Sequence, residues 1–222
     1  MELNDFVSQN EPDETGERFE LENSKLLDID VDGTVIAKVG SMIAYDGDLS
    51  FTGKSSAEGG LTGMIKSKVT SEGTPVMEID GQGHVYLADQ EKKIQILELG
   101  AGESISVNGN DVLAFEDRVD YEIGTIGSLG GASAAGLLNV FLSGPGTVAI
   151  TTHGDPLVLS PPVRTDPDAT VAWSGNLSPS LKSDRSLKDS IGQSSNETYQ
   201  MSFEGSSGFV VVQPFEERSP QA

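Results

Sequence analysis

The stretch Met42-Ile43-Ala44-Tyr45-Asp46-Gly47-Asp48-Leu49 decides how this chain is read. Its pattern is an aliphatic residue, alanine, an aromatic ring, three mostly polar residues and a second aliphatic. The pattern returns as Val112-Leu113-Ala114-Phe115-Glu116-Asp117-Arg118-Val119 and as Thr170-Val171-Ala172-Trp173-Ser174-Gly175-Asn176-Leu177. A glycine-punctuated stretch answers each copy: Ile79 to Leu87, Leu142 to Ile150, and Phe203 to Val212. The second glycines of these stretches, Gly83, Gly146 and Gly208, lie 63 and then 62 residues apart. A near-constant period of that length is an architectural repeat.

Outward from the motif, Leu27-Asp28-Ile29-Asp30-Val31-Asp32-Gly33 alternates strictly, which predicts a half-buried strand ending in a turn. Thr34 to Val39 predicts a second short strand before the motif. Further strands are expected at Ile94 to Leu99, Ser104 to Val107, Leu137 to Leu142, Leu157 to Leu159 and Phe209 to Gln213, with Asn108-Gly109 as a turn. The units run over about 34–90, 103–153 and 165–215. Their connectors are glycine- or serine-rich. Leu61, Met64 and Ile65 in the first, and Leu187 and Ile191 in the third, are spaced for short helical turns.

One such unit would bury too little surface to stand alone. A single domain is therefore expected over 19–215, between an acidic flexible tail (1–18) and a polar tail (216–222). The fold class is all-β, a pseudo-threefold prism or barrel whose closure leaves few free edges. Ala44, Ala114 and Ala172 become equivalent positions, as do Tyr45, Phe115 and Trp173. The three rings are core anchors, each worth about 1.5–3 kcal/mol if fully buried. A trio that stacks on a ligand is their second reading.

Composition bounds the function. The 222 residues carry 14 basic and 35 acidic side chains, a formal net charge of −21. Such charge opposes compaction at ordinary ionic strength, whereas a Debye length of about 3 Å at molar salt removes most of the repulsion. The balance suits a salt-rich cytoplasm. It excludes direct nucleic-acid binding, because a typical binder neutralises about 6–10 phosphates with clustered Lys and Arg. Here the densest basic spots, Lys66/Lys68 and Lys92/Lys93, are flanked by acids. Without cysteine, disulfides and thiolate chemistry fall away. Met1 to Glu22 has no apolar signal core, so an intracellular, cytoplasmic protein is expected. The best apolar run outside charge, Ala134 to Leu142, is far shorter than the roughly 20 residues of a spanning helix. It leaves only peripheral membrane association as a weak third idea.

Several residues together resemble a known family. They are Gly40-Ser41-Met42 with Asp46-Gly47-Asp48, Gly59-Gly60-Leu61, Gly144-Pro145-Gly146, Asp166-Pro167 through Val171-Ala172-Trp173-Ser174, and Gly208 to Pro214. In this order they are similar to the altered-inheritance-of-mitochondria family, member twenty-four, over about residues 24 to 215. The resemblance implies a fold like the tryptophan RNA-binding attenuation protein, of double-stranded β-helix type. It also implies homotrimers and no established enzymatic activity. Around Lys66 to Pro75 the chain departs from the family pattern.

Chemistry-bearing motifs are sparse. Asp28 to Gly33 mimics the start of a calcium loop, but the position of its closing glutamate holds Val39. His84 and His153 are the only histidines, and neither has the His-x-His neighbour of a cupin-type metal site. They remain the candidate ligands if they meet in space. There is no Gly-x-Ser-x-Gly elbow and no phosphate loop. The expectation is a non-catalytic, oligomeric scaffold without cofactor or metal, working through an unidentified protein partner. The alternative is a ligand- or metal-binding barrel, possibly enzymatic, using an interior near Tyr45, Phe115, Trp173 and the two histidines.

Overall fold

The structure is a computed structural model, and it describes residues 1–12, 15–53, 76–126, 137–183 and 199–217. Strands make up 59% and helices 6%, so the chain is nearly all β. A helix α1 (Leu3–Ser8) precedes β1 (Phe19–Asn23), β2 (Leu26–Lys38), β3 (Met42–Tyr45), β4 (Asp48–Gly53) and β5 (Val76–Leu87). Next come β6 (Lys93–Leu99), β7 (Ser104–Asn108), β8 (Val112–Glu116), β9 (Asp120–Ile126), β10 (Leu137–Ser143) and β11 (Gly146–Thr152). The last group is β12 (Leu157–Leu159), β13 (Val163–Thr165), a 3₁₀ turn (Pro167–Ala169), β14 (Thr170–Ser174), β15 (Ser180–Ser183), β16 (Tyr199–Phe203) and β17 (Val210–Val212). The helical turns expected near Leu61 and Leu187 lie outside the described residues, as does most of the apolar connector before Leu137.

Three antiparallel sheets form. The eight-stranded one runs β3-β5-β2-β8-β11-β6, with β1 added on β2 and β4 on β5. The six-stranded one runs β12-β17-β14-β7-β10-β9, and the smallest is β13-β16-β15. None closes, where the sequence suggested a prism or barrel. The reason is visible in the burial. Every residue of β8, β11 and β14 is buried, so these strands are covered on both faces. A strand of a closed prism has one face on the core and the other in solvent; a strand with two buried faces belongs to an inner layer.

Three apolar clusters fill the spaces between layers. One, built around Leu27, Ile29, Val85, Leu113 and Ala149, lies within the folded eight-stranded sheet. A second, around Ile36, Phe115, Val148, Val107 and Val171, joins that sheet to the six-stranded one. The third, around Trp173, Val210, Met201 and Phe203, joins the six-stranded sheet to the smallest. The order of layers follows the order of the chain.

Local sequence explains the long strands. Leu27, Ile29 and Val31 point into the first cluster while Asp30 and Asp32 face water, as the alternation predicts, whereas Asp28, contrary to it, is buried. The turn expected at Gly33 does not form. Gly33, at φ 99°, instead pairs with Gly81, at φ 136°, within one ribbon from Leu27↔Leu87 to Lys38↔Val76. Two facing glycines let the ribbon bend without breaking its ladder. Both halves pack in the first cluster, and the second half also sends Ile36 and Val76 into the next one.

Candidate functional site

The three copies of the opening motif each form a β-bulge. Met42 and Ala44 face Leu87 and Tyr86, so Ile43 has no partner on β5. In the same way Leu113 is left over between β8 and β11, and Val171 between β14 and β17. The aliphatic residue before each alanine is therefore the extra residue of a bulge, which twists its strand locally. The second glycines accept the chain just beyond it. A side chain on Gly83 would strike the carbonyl oxygen of Asp46, and one on Gly208 the hydroxyl of Ser174. On Gly146 it would lie 2.6 Å from Val119 Cγ2, and all three glycines have positive φ. Motif and glycine strand are thus two halves of one contact.

The surroundings of the copies differ. The outer edge of β8 is covered by β2, through Ile36↔Phe115, and that of β14 by β7, through Ser106↔Trp173. Among the described residues, β3 pairs only with β5. Accordingly Phe115 and Trp173 are 0% and 2% exposed, whereas Tyr45 is 50% exposed and Ile43 62%. Tyr45 is not the core anchor expected of it, because among the described residues no further layer covers its strand. Its ring meets Phe51 edge-on at 4.9 Å. With Val39 and Met42, also exposed, these residues make an apolar strip along one free edge.

The rings do not line a shared interior. Phe115 lies in the middle cluster and Trp173 in the third, in contact with Phe203 at 5.5 Å. The histidines are also engaged separately. His84 stands on β5, its Nδ1 3.0 Å from Asp28 Oδ2, and its backbone N–H donates to Asp46 Oδ1. Burial works against the imidazolium, but Asp28 outweighs it and raises the His84 pKa. Burial raises the Asp28 pKa, which His84 only partly offsets. His153 instead follows β11, 3.3 Å from Glu217 and tilted against Phe215 at 4.2 Å between ring centres. No group of three or more His, Cys, Asp or Glu among the described residues is arranged to hold a metal ion.

Beside His153 lies a buried charge cluster that the sequence reading did not pick out. Gln90 and Glu91, both with positive φ (46° and 61°), make a strained turn that aims Lys92 inward. The Lys92 Nζ donates to Asp111 Oδ1 at 2.9 Å, to the Asn110 carbonyl at 3.2 Å and to Glu217. Lys38 Nζ donates to Asp89 Oδ2 at 2.7 Å and to the same Asn110 carbonyl. Glu217, placed by its number in a polar tail, is held by its N–H on the Asp168 carbonyl and by the Gln213 amide on its carboxylate.

Burial pushes the Asp111 carboxyl up to about 8, against the pull of Lys92. Burial acts on Glu217 in the same sense, yet its hydrogen bond from Lys92 holds it below the ordinary value. Lys92 is raised, its partners outweighing its burial. Burial thus favours the protonated form of Asp111 beside the Lys92 ammonium and the Glu217 carboxylate. A nucleophilic lysine requires a lowered pKa. Lys92 has the opposite, and its bonds join the β7–β8 turn, the β5–β6 turn and the C-terminal segment. Only the acids flanking Lys92 hinted at it in the sequence.

A family model described as mitochondrial biogenesis AIM24 matches residues 19–215. The chain belongs to that family. Within the solved structures, it is similar to the crystal structure of a Streptococcus pyogenes protein at 21% identity and a TM-score of 0.68. That likeness covers 89% of this chain and 92% of the other, and at this identity it speaks for the fold. No curated protein matches the chain in sequence. No helix among the described residues is long and apolar enough to cross a membrane.

Proposed function

We propose that this AIM24-family chain is a non-catalytic, oligomeric scaffold of a salt-adapted cytoplasm, acting through protein contacts. It is read as three tandem units, about 34–90, 103–153 and 165–215, that assemble as a homotrimer in keeping with the family resemblance. The observation that carries the reading is the apolar strip at β3, exposed where the matching strands β8 and β14 are fully enclosed. A free strand edge is a template for another chain, and an exposed apolar edge is a liability unless something covers it. The raised pKa of Lys92 and the separate engagement of His84 and His153 favour a structural role for the charged groups.

The test is a pull-down from native extract at near-cytoplasmic salt, with bound proteins and small molecules identified by mass spectrometry. A stoichiometric protein, or further copies of the chain, is the expected result. A bound metabolite that the purified protein turns over would overturn the scaffold reading.

A further inference from the structure

We propose that residues 213–217 are a strap over a carboxylate-binding site formed by Lys92, Asp111 and His153. Glu217 fills the site when the strap is down, and a free carboxylate fills it when the strap is up. The site goes beyond the scaffold reading and does not depend on the oligomeric state.

The walls of the site belong to the body of the protein. Lys92 is 3% exposed and Asp111 1%, and they come from two different turns, β5–β6 and β7–β8. An ammonium group has three hydrogens to place. Asp111 Oδ1 and the Asn110 carbonyl take two of them, at 2.9 and 3.2 Å, and Glu217 Oε1 takes the third. His153, just after β11, turns its Nε2 to the same oxygen at 3.3 Å. Asp111 is hydrogen-bonded to that carboxylate as well. Donors from separate parts of the chain thus converge on one acid. Gln90 and Glu91 hold the aim of Lys92 in a strained backbone at φ 46° and 61°, and strain of this kind gathers at binding sites.

The strap is held lightly. Beyond β17 its backbone bonds among the described residues are Gln213 N–H to the Ala169 carbonyl at 2.9 Å and Glu217 N–H to the Asp168 carbonyl at 2.8 Å. Pro214, Phe215 and Glu216 are exposed, with Phe215 resting on the His153 ring. Gln213 is the hinge. It is buried, accepts the His153 N–H through its Oε1 at 2.8 Å, and donates from Nε2 to Glu217 Oε1 at 3.3 Å. Exposed segments with few backbone bonds open most readily. Lifting the strap beyond this hinge frees one hydrogen of Lys92 and the Nε2 of His153. Both then need an acceptor, and a free carboxylate brings the same oxygen. A group on a short tether competes as if present at about millimolar concentration, so molar acetate should displace Glu217.

The test is hydrogen exchange read by NMR on the full chain, in molar potassium chloride and in molar potassium acetate at one pH. Acetate is expected to speed exchange of the Glu217 amide by about tenfold or more, with the amides of β17 unchanged. No acceleration, or β17 opening together with Glu217, would overturn the proposal. Glu217→Ala, shown to fold by circular dichroism, tests the site without its own acid. It should melt lower than the unaltered chain in chloride, and acetate should raise its melting temperature saturably. The gain is read over that of the unaltered chain, which carries any general effect of the salt. Adding Lys92→Met to Glu217→Ala should abolish the gain, since removing both members of a buried pair is tolerated better than removing one. Adding His153→Gln instead should weaken it, and this variant decides if the first does not fold. Equal gains in the unaltered chain and Glu217→Ala, or a gain indifferent to Lys92 and His153, would overturn the site. If Glu217→Ala itself does not fold, exchange in the unaltered chain decides.

Discussion

In β8, Leu113 and Phe115 are wholly enclosed; in β3, Ile43 and Tyr45 hold the matching places and stand largely in solvent. Both strands make the same bulge, one residue before alanine, and both rest on a positive-φ glycine. Local geometry is therefore independent of burial here. The bulge and glycine contact form wherever the motif occurs, while the layer decides what covers it. The same aromatic position is a core residue in the middle of the stack and a surface residue at its end.

The comparison breaks first if the middle strands tolerate truncation. Phe115→Ala should cost about 3–5 kcal/mol in urea unfolding, and Trp173→Ala should fall in the same range. Lys92→Met, which leaves the partly buried Glu217 carboxylate without its ammonium partner, should also cost about 3–5 kcal/mol. A smaller effect sharpens what the two regions share. Gly83→Ala at the exposed end and Gly146→Ala in the middle should each cost about 1–3 kcal/mol, because both need positive φ and close approach. A harmless Gly83→Ala would mean that the β3 end is not held by this contact.

Titration separates the regions further. Asp111 keeps in the folded chain a proton that it loses above about 3.8 when unfolded. The folded state therefore binds more protons between about pH 4 and 8, and this group's contribution falls as pH rises through that window. The slope is at most about 1.4 kcal/mol per pH unit for one proton. Asp111→Asn should flatten the stability profile measured by urea unfolding at several pH values. His84 acts in the same direction: its contribution is present below 6.5 and is lost as pH rises through its raised folded value. Asp111→Asn should leave that smaller part in place. Smallest of all, Tyr45→Ala should change the stability of a single chain by no more than about 0.5 kcal/mol.

Much of the fold was legible because its signals are local. Strict alternation at Leu27 to Val31, the aliphatic-alanine-aromatic triplets and the spaced glycines each report a backbone requirement at a few adjacent residues. The arrangement of layers was not legible. Tandem units with one period suit a closed prism and an open stack equally well. What separates them is whether β13 returns to β3, a pairing between residues more than a hundred positions apart. The continuous ribbon through Gly33 was hidden for a similar reason, since a glycine after an aspartate also marks a turn. Lys92 looked like half of a basic spot. Its burial depends on Asp111 and on Glu217, which composition assigns to a polar tail.

The position of Glu217 has a consequence for how the chain comes off the ribosome. Lys92 and Asp111 are made early, and both can be drawn inward as the first strands pair. Their remaining acceptor emerges more than a hundred residues later. Until then the ammonium either keeps its water or sits under-coordinated, so the β5–β6 turn stays unlatched while the layers behind it assemble. Chains fold from the N-terminus as they emerge. In this protein a later segment reaches back and fastens a joint laid down more than a hundred residues earlier.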